Sequence, residues 1–136
     1  MGSEGEMDGP RPRIRVVIVD RLRPVREGLT ALLTCEGEFD VVGEAEGEED
    51  ALQRVLALRP DLVLLDLELP CGGGEGLVRR LREAGVTPIV VALGLNGDLL
   101  RPQRLIGDCC QGYIQKGARP AEVLRTIRAA LDAASA

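Results

Sequence analysis

Lys116 is the only lysine in the chain, and the other sixteen basic residues are all arginine. An ammonium is a compact point charge on a flexible stem, and a planar guanidinium does not replace it opposite a small anion. The natural counterpart is Asp66, which ends the apolar run Leu62-Val63-Leu64-Leu65 and precedes Leu67-Glu68-Leu69-Pro70. A further carboxylate, Asp20, closes the β-branched run from Arg13 to Val19. Residues that end different strands meet only if those strands bring their carboxyl ends to one edge of a parallel sheet, where open α/β sheets build their sites. Two carboxylates and an ammonium at such an edge point to a magnesium or phosphoryl site. Hard cations take carboxylate oxygens, and Mg²⁺ commonly uses one or two of them together with substrate phosphate. One carboxylate would then be the nucleophile, and the lysine would neutralise the added charge. An ordinary buried ion pair would use the same residues, and spacing alone leaves both readings open.

The elements that must position these residues read as five rounds of strand then helix. Arg13 to Val19 is the first strand. Pro24 suits a first helical turn, and Val25, Leu29, Leu32 and Leu33 follow at helical spacing. Phe39 to Gly43 is a second strand, and Glu48 to Leu58 is helical up to Pro60. Asp61 to Leu65 is a continuous apolar run, as expected of a central strand covered on both faces. After Gly72-Gly73-Gly74 comes a helix carrying Leu77, Val78 and Leu81, and then a strand over Ile89 to Leu93. Gly94, Gly97, Pro102 and Gly107 punctuate the next stretch, so a helix there is expected to be short or kinked. Gln111 to Gln115 is the fifth strand, and Ala121 to Ala133 the last helix, with Val123, Ile127, Ala130 and Leu131 inward. Alternating short strands and helices imply right-handed βαβ units and a doubly wound parallel sheet. Strand order 2-1-3-4-5 brings Asp20, Asp66 and Lys116 together.

Composition narrows the function. The chain has 136 residues, enough for one domain with a proper core. Histidine and tryptophan are absent, and there is one tyrosine and one phenylalanine, so the core is aliphatic and base stacking has almost nothing to use. The net charge of −5 argues against this chain binding nucleic acid or an anionic membrane by itself. The small arginine cluster Arg79, Arg80 and Arg82 reads as a solvated helix face. No apolar run approaches the ~20 residues that span a bilayer. Residues 1–12 lack an apolar core and are expected to be a disordered tail, in a soluble cytoplasmic protein. Cys35, Cys71, Cys109 and Cys110 fit no zinc spacing and read as reduced thiols, with a redox switch at Cys71 or at Cys109-Cys110 as the sharper alternative. Gly72-Gly73-Gly74 is not a phosphate loop, because no Gly-Lys-Ser/Thr follows. Without histidine, an Asp–Lys pair gives little acid–base chemistry near neutrality, so an enzyme acting on an external substrate is not expected.

Several segments together resemble the receiver domain of two-component response regulators, in the branch that precedes LuxR-type (NarL/FixJ) helix-turn-helix domains. They are Ile14-Arg15-Val16-Val17-Ile18-Val19-Asp20, Val25-Arg26-Glu27-Gly28-Leu29, Val41-Val42-Gly43-Glu44-Ala45, Pro60 to Pro70, and Gly112-Tyr113-Ile114-Gln115-Lys116. The resemblance covers residues 13 to about 132, leaving 133–136 as a tail or the start of a linker. It implies a flavodoxin-like (βα)5 fold. It also implies that Asp66 is the phosphoacceptor for a sensor histidine kinase, that Lys116 contacts the phosphoryl group, and that Tyr113 is an aromatic which changes rotamer as the output face rearranges. A homodimer formed through the region of the fourth or fifth helix is implied too, with a DNA-binding domain in a longer parent protein.

The departures from the family pattern bear on mechanism. The family has two consecutive acids after strand one, the second a Mg²⁺ ligand, whereas Asp20 is followed by Arg21. The family ends strand four with Thr or Ser, whereas the matching residue is Leu93, and no Ser or Thr occurs from Val91 to Arg125. The loop after the phosphoacceptor reads Leu69-Pro70-Cys71-Gly72-Gly73-Gly74 and has lost its acid. Binding of Mg²⁺ by Asp20 and Asp66 is therefore expected to be weak or lost. Arg21 either pairs with Asp66 or Asp20 or faces solvent, and Leu93 either packs in the core or lines the pocket without a hydroxyl. The expectation is an atypical receiver with impaired or absent Mg²⁺-dependent phosphorylation. The alternative is a phosphorylation-independent module that binds a protein or small ligand near the 71–74 loop and the 94–107 segment.

Overall fold

The computed structural model describes residues 12–70, 74–95, 107 and 109–135. Five strands form one parallel sheet: β1 (Ile14–Val19), β2 (Phe39–Ala45), β3 (Leu62–Asp66), β4 (Ile89–Gly94) and β5 (Gly112–Gln115). Their order across the sheet is β2-β1-β3-β4-β5. The described helices are α1 (Arg23–Glu36), α2 (Glu48–Leu58), α3 (Glu75–Glu83) and α4 (Pro120–Ser135). This is the doubly wound, flavodoxin-like arrangement that the alternation implied. β2 runs two residues past the expected Gly43, and β1 meets it with a register shift between Val16 and Val17.

Local chemistry explains the boundaries. Pro24 lies in the first turn of α1, and Gly37 closes that helix in the left-handed conformation, φ 80°. α2 begins with Glu48, Glu49 and Asp50, which complement the positive end of the helix dipole. It stops at Arg59, the residue before Pro60.

Alternation along each strand divides the core into two layers. On one face Val17, Val19, Val63, Leu65, Val90 and Ala92 pack with Ala51 and Val55 of α2 and Leu77 and Leu81 of α3. On the other, Val16, Ile18, Leu62, Leu64, Val91, Leu93 and Ile114 pack with Leu33 of α1 and Val123 and Ile127 of α4. Each fully buried Leu, Ile or Val contributes about 1.5–3 kcal/mol relative to exposure. An aliphatic core of this size, with Phe39 as its one buried aromatic among the described residues, therefore holds the sheet. Arg128 of α4 adds a surface clasp, reaching Glu36 at 2.9 Å and Glu38 at 2.6 Å.

Among the described residues no helix is long and apolar enough to cross a membrane. Cys71, Gly72, Gly73 and residues 96–106 lie outside the described residues, and with them the Cys71 switch and most of both ligand-loop expectations.

Candidate functional site

The site lies where β1, β3 and β5 end. Asp20 follows β1 directly, its amide donating to the Ala45 carbonyl at 3.0 Å. Its Oδ1 accepts the Leu22 amide at 2.8 Å, a local turn bond that aims the carboxylate and starts the approach to α1. Asp66 ends β3, and its Oδ1 accepts the Glu68 amide at 2.8 Å in the same kind of turn. Asp20 and Asp66 are both fully buried. Lys116 follows β5, with its amide donating to the Gly94 carbonyl at 2.8 Å.

The three side chains converge. Lys116 Nζ lies 3.0 Å from Asp20 Oδ2 and 3.0 Å from Asp66 Oδ1. Towards Asp20 this is an ion-pair contact without hydrogen-bond alignment, so Asp20 Oδ2 is a buried carboxylate oxygen with a charge partner but no hydrogen bond. Burial pulls the Lys116 ammonium towards a lower pKa. The close contacts with the two carboxylates outweigh it, and the net direction is upward. Two buried carboxylates share one ammonium, which leaves a pocket with a formal excess of one negative charge. Among the described residues no group of three or more Asp, Glu, His or Cys side chains is placed to hold a metal ion, and both carboxylates of the pocket already face Lys116.

Arg21 is exposed, and its guanidinium forms no ion pair among the described residues, so the pairing with Asp66 or Asp20 is not made. Only its backbone approaches the site, the amide lying 3.5 Å from Asp66 Oδ2. Burying a guanidinium beside Asp66 would need desolvation that Lys116 makes unnecessary. The Arg21 side chain instead lines a cleft of about 360 Å³ shared with Glu46, Glu48, Glu49, Pro70 and Arg80. Leu93 is 2% exposed and sits in register with Asp66.

Two positioning residues escaped the sequence reading. Arg26, 12% exposed, donates from Nη1 to the Asp20 carbonyl at 2.7 Å and pairs through Nε with Glu44 at 3.0 Å, tying α1 and β2 to the site. Its signal was an arginine on the otherwise apolar side of α1. Arg80 is not part of a solvated face. It bridges α3 to Glu48 (3.2 Å) and Glu49 (3.0 Å) of α2, while Arg79 and Arg82 are exposed as expected. Gly74 starts α3 with φ 85°, and a Cβ there would lie 2.9 Å from the Asp66 carbonyl oxygen, so glycine lets the helix begin against the end of β3.

Burial pushes the Cys110 thiol up, opposite to the activation a redox switch needs. Tyr113, half-buried, lies on the face of the sheet opposite Leu93 and donates to the Leu95 carbonyl at 3.3 Å. Away from the site, at the start of β4, a cavity of about 300 Å³ is lined by Val78, Leu81, Val86, Pro88, Val90 and Cys109 among others.

Comparison with known proteins agrees with this geometry. The family model described as "Response regulator receiver domain" matches residues 16–128. Response regulator GacA of Pseudomonas viridiflava is 36% identical over 115 residues, 85% of this chain and 54% of that protein. The DNA-binding transcriptional activator DevR/DosR of Mycobacterium tuberculosis is 34% identical over 117 residues, 85% of this chain and 53% of that protein. This chain thus spans about half the length of these curated relatives. Among solved structures, the signal receiver domain of the putative response regulator NarL from Mycobacterium tuberculosis aligns with a TM-score of 0.79 at 26% identity, covering 92% of this chain and 98% of that one. A LuxR-family two-component response regulator from Aurantimonas sp. SI85-9A1 aligns with a TM-score of 0.81 at 27% identity, covering 90% and 87%.

Proposed function

The chain belongs to the response regulator receiver family, and we propose that it is an atypical receiver domain that regulates a transcriptional output, with Mg²⁺-dependent phosphorylation at Asp66 impaired or absent. The observation that carries this reading is the ammonium of Lys116 held 3.0 Å from both buried carboxylates, with exposed Arg21 where a second acid would stand.

In this reading Asp66 is the phosphoacceptor and Lys116 the cation that meets its phosphoryl oxygens. Asp20 and Asp66 would hold Mg²⁺, whose contribution would be to neutralise charge on the transferring phosphoryl group. Lys116 already supplies part of that neutralisation, and Arg21 adds a nearby positive charge, so divalent binding is weak. Leu93 offers no hydrogen bond to a phosphoryl oxygen. A modification shifts an equilibrium only by the contacts that differ between the two states, so phosphate at Asp66 would bias the output weakly. Tyr113 is the family's switch aromatic in this reading, a sensor histidine kinase the donor, and a second copy of the chain the partner. The role is regulatory rather than turnover of an external substrate, and a cytoplasmic location goes with it.

Intact-protein mass after incubation with phosphoramidate or acetyl phosphate, with and without Mg²⁺, tests the reading. The expected result is a small adduct or none, absent from Asp66→Asn. A near-complete adduct that needs both Mg²⁺ and Asp66 would mean an ordinary receiver.

A further inference from the structure

We propose that Gly94 is the positioning residue for Tyr113: it leaves open the space into which the phenol closes, so that the ring rests over the end of β4. The proposal does not depend on whether Asp66 accepts a phosphoryl group.

A Cβ added at Gly94 would lie 2.6 Å from Tyr113 Oη, 2.8 Å from Cε1 and 3.0 Å from Cζ. Those distances are far inside van der Waals contact, so the ring occupies the volume that any other side chain would take. Gly94 does not have the left-handed φ that would by itself call for glycine. Space, not backbone conformation, is what glycine supplies there. Ala92, two residues earlier on the same face and in register with Tyr113, is also small. Together they leave room for the ring to lean along the strand. The Oη then donates to the Leu95 carbonyl at 3.3 Å and ties the ring to the chain leaving β4.

Leu93 is in register with Asp66 and packs in the layer with Ile18, Leu64 and Ile114, whereas Tyr113 packs in the opposite layer. The ring is therefore held by the space at Gly94 and the bond to Leu95, on the layer that the aliphatic Leu93 side chain does not reach.

Tyr113 is the only tyrosine and tryptophan is absent, so intrinsic emission above that of phenylalanine reports this ring alone. The experiment is acrylamide quenching of that emission, with thermal unfolding, in wild type, Gly94→Ala and Asp66→Asn. Gly94→Ala is expected to raise the quenching constant and lower Tm by roughly 5 °C or more, as overpacking does. Asp66→Asn leaves the space at Gly94 intact and is expected to change quenching less than Gly94→Ala does. In the Tyr113→Ala background the Tm loss caused by Gly94→Ala should largely vanish, as a double-mutant cycle requires if the two residues compete for one space. The proposal is overturned if Gly94→Ala changes neither quenching nor Tm, if its penalty persists undiminished without the ring, or if Asp66→Asn moves the ring as much as Gly94→Ala does. Should Gly94→Ala fail to fold, the Gly94→Ala, Tyr113→Ala protein decides: folded supports the proposal, and unfolded overturns it.

Discussion

Leu93 stands opposite Asp66 in the parallel register of β4 with β3, and its carbonyl accepts the Leu67 amide at 2.8 Å. The backbone on this side of the pocket is therefore tied to the chain just past the acidic residue, while the side chain that faces the same layer is an aliphatic group buried to 2% exposure. On the opposite flank, Lys116 connects β5 to both carboxylates. Polar cohesion in the pocket thus comes from β1, β3 and β5, and β4 contributes backbone and hydrocarbon.

Lys116→Met is expected to destabilise the domain by about 3–5 kcal/mol at neutral pH, the range for removing one partner from a buried charge group. The cause would be two buried carboxylates left facing each other, so adding Asp20→Asn should recover a large part of the loss. Urea unfolding of the two variants against wild type checks both. A loss below about 1 kcal/mol, the usual size for an exposed pair, would mean that the pocket is solvated.

Alkaline conditions give a second handle on the same contact. The folded-state pKa of Lys116 is raised above the ordinary lysine value of 10.5. A cation whose pKa rises on folding stabilises the fold fully below the unfolded value, and that contribution fades as pH climbs through the folded one. The stability gap between wild type and Lys116→Met should accordingly be constant through neutral pH and narrow above about 10.5. Denaturant titrations at stepped pH would show it; a gap that widens with pH would contradict the sign.

The convergence of Asp20, Asp66 and Lys116 was legible because each ends a strand, and strand order follows from the alternation of short apolar runs with helices. Leu93 was also legible, as the absence of any Ser or Thr between Val91 and Arg125. What the linear pattern concealed depends on partners distant in the chain. Arg80 looked solvated because helical spacing says nothing of Glu48 and Glu49, which arrive on a neighbouring helix. Arg26 held a place in a family-like segment without a role until β2 brought Glu44 to it. The fate of Arg21 turned on desolvation: sequence placed a guanidinium next to an acidic pocket, but the buried lysine had already met that charge. Gly94 read only as a breaker, because the ring that needs its space comes from β5.

In the proposed function, Arg21 and Leu93 are what separate this pocket from a working phosphoacceptor site. The most direct measurement is phosphoramidate labelling, read by intact mass across a Mg²⁺ series, of wild type beside Arg21→Asp, Leu93→Thr, with circular dichroism confirming that the double variant is folded. Buried Leu to Thr exposes the core to a hydroxyl and less hydrocarbon, so some loss of Tm is expected in that variant. The predicted result is a clear rise in Mg²⁺-dependent adduct in the double variant over a small or absent one in wild type, removed by Asp66→Asn. Equal labelling of wild type and the folded double variant across the series would contradict it.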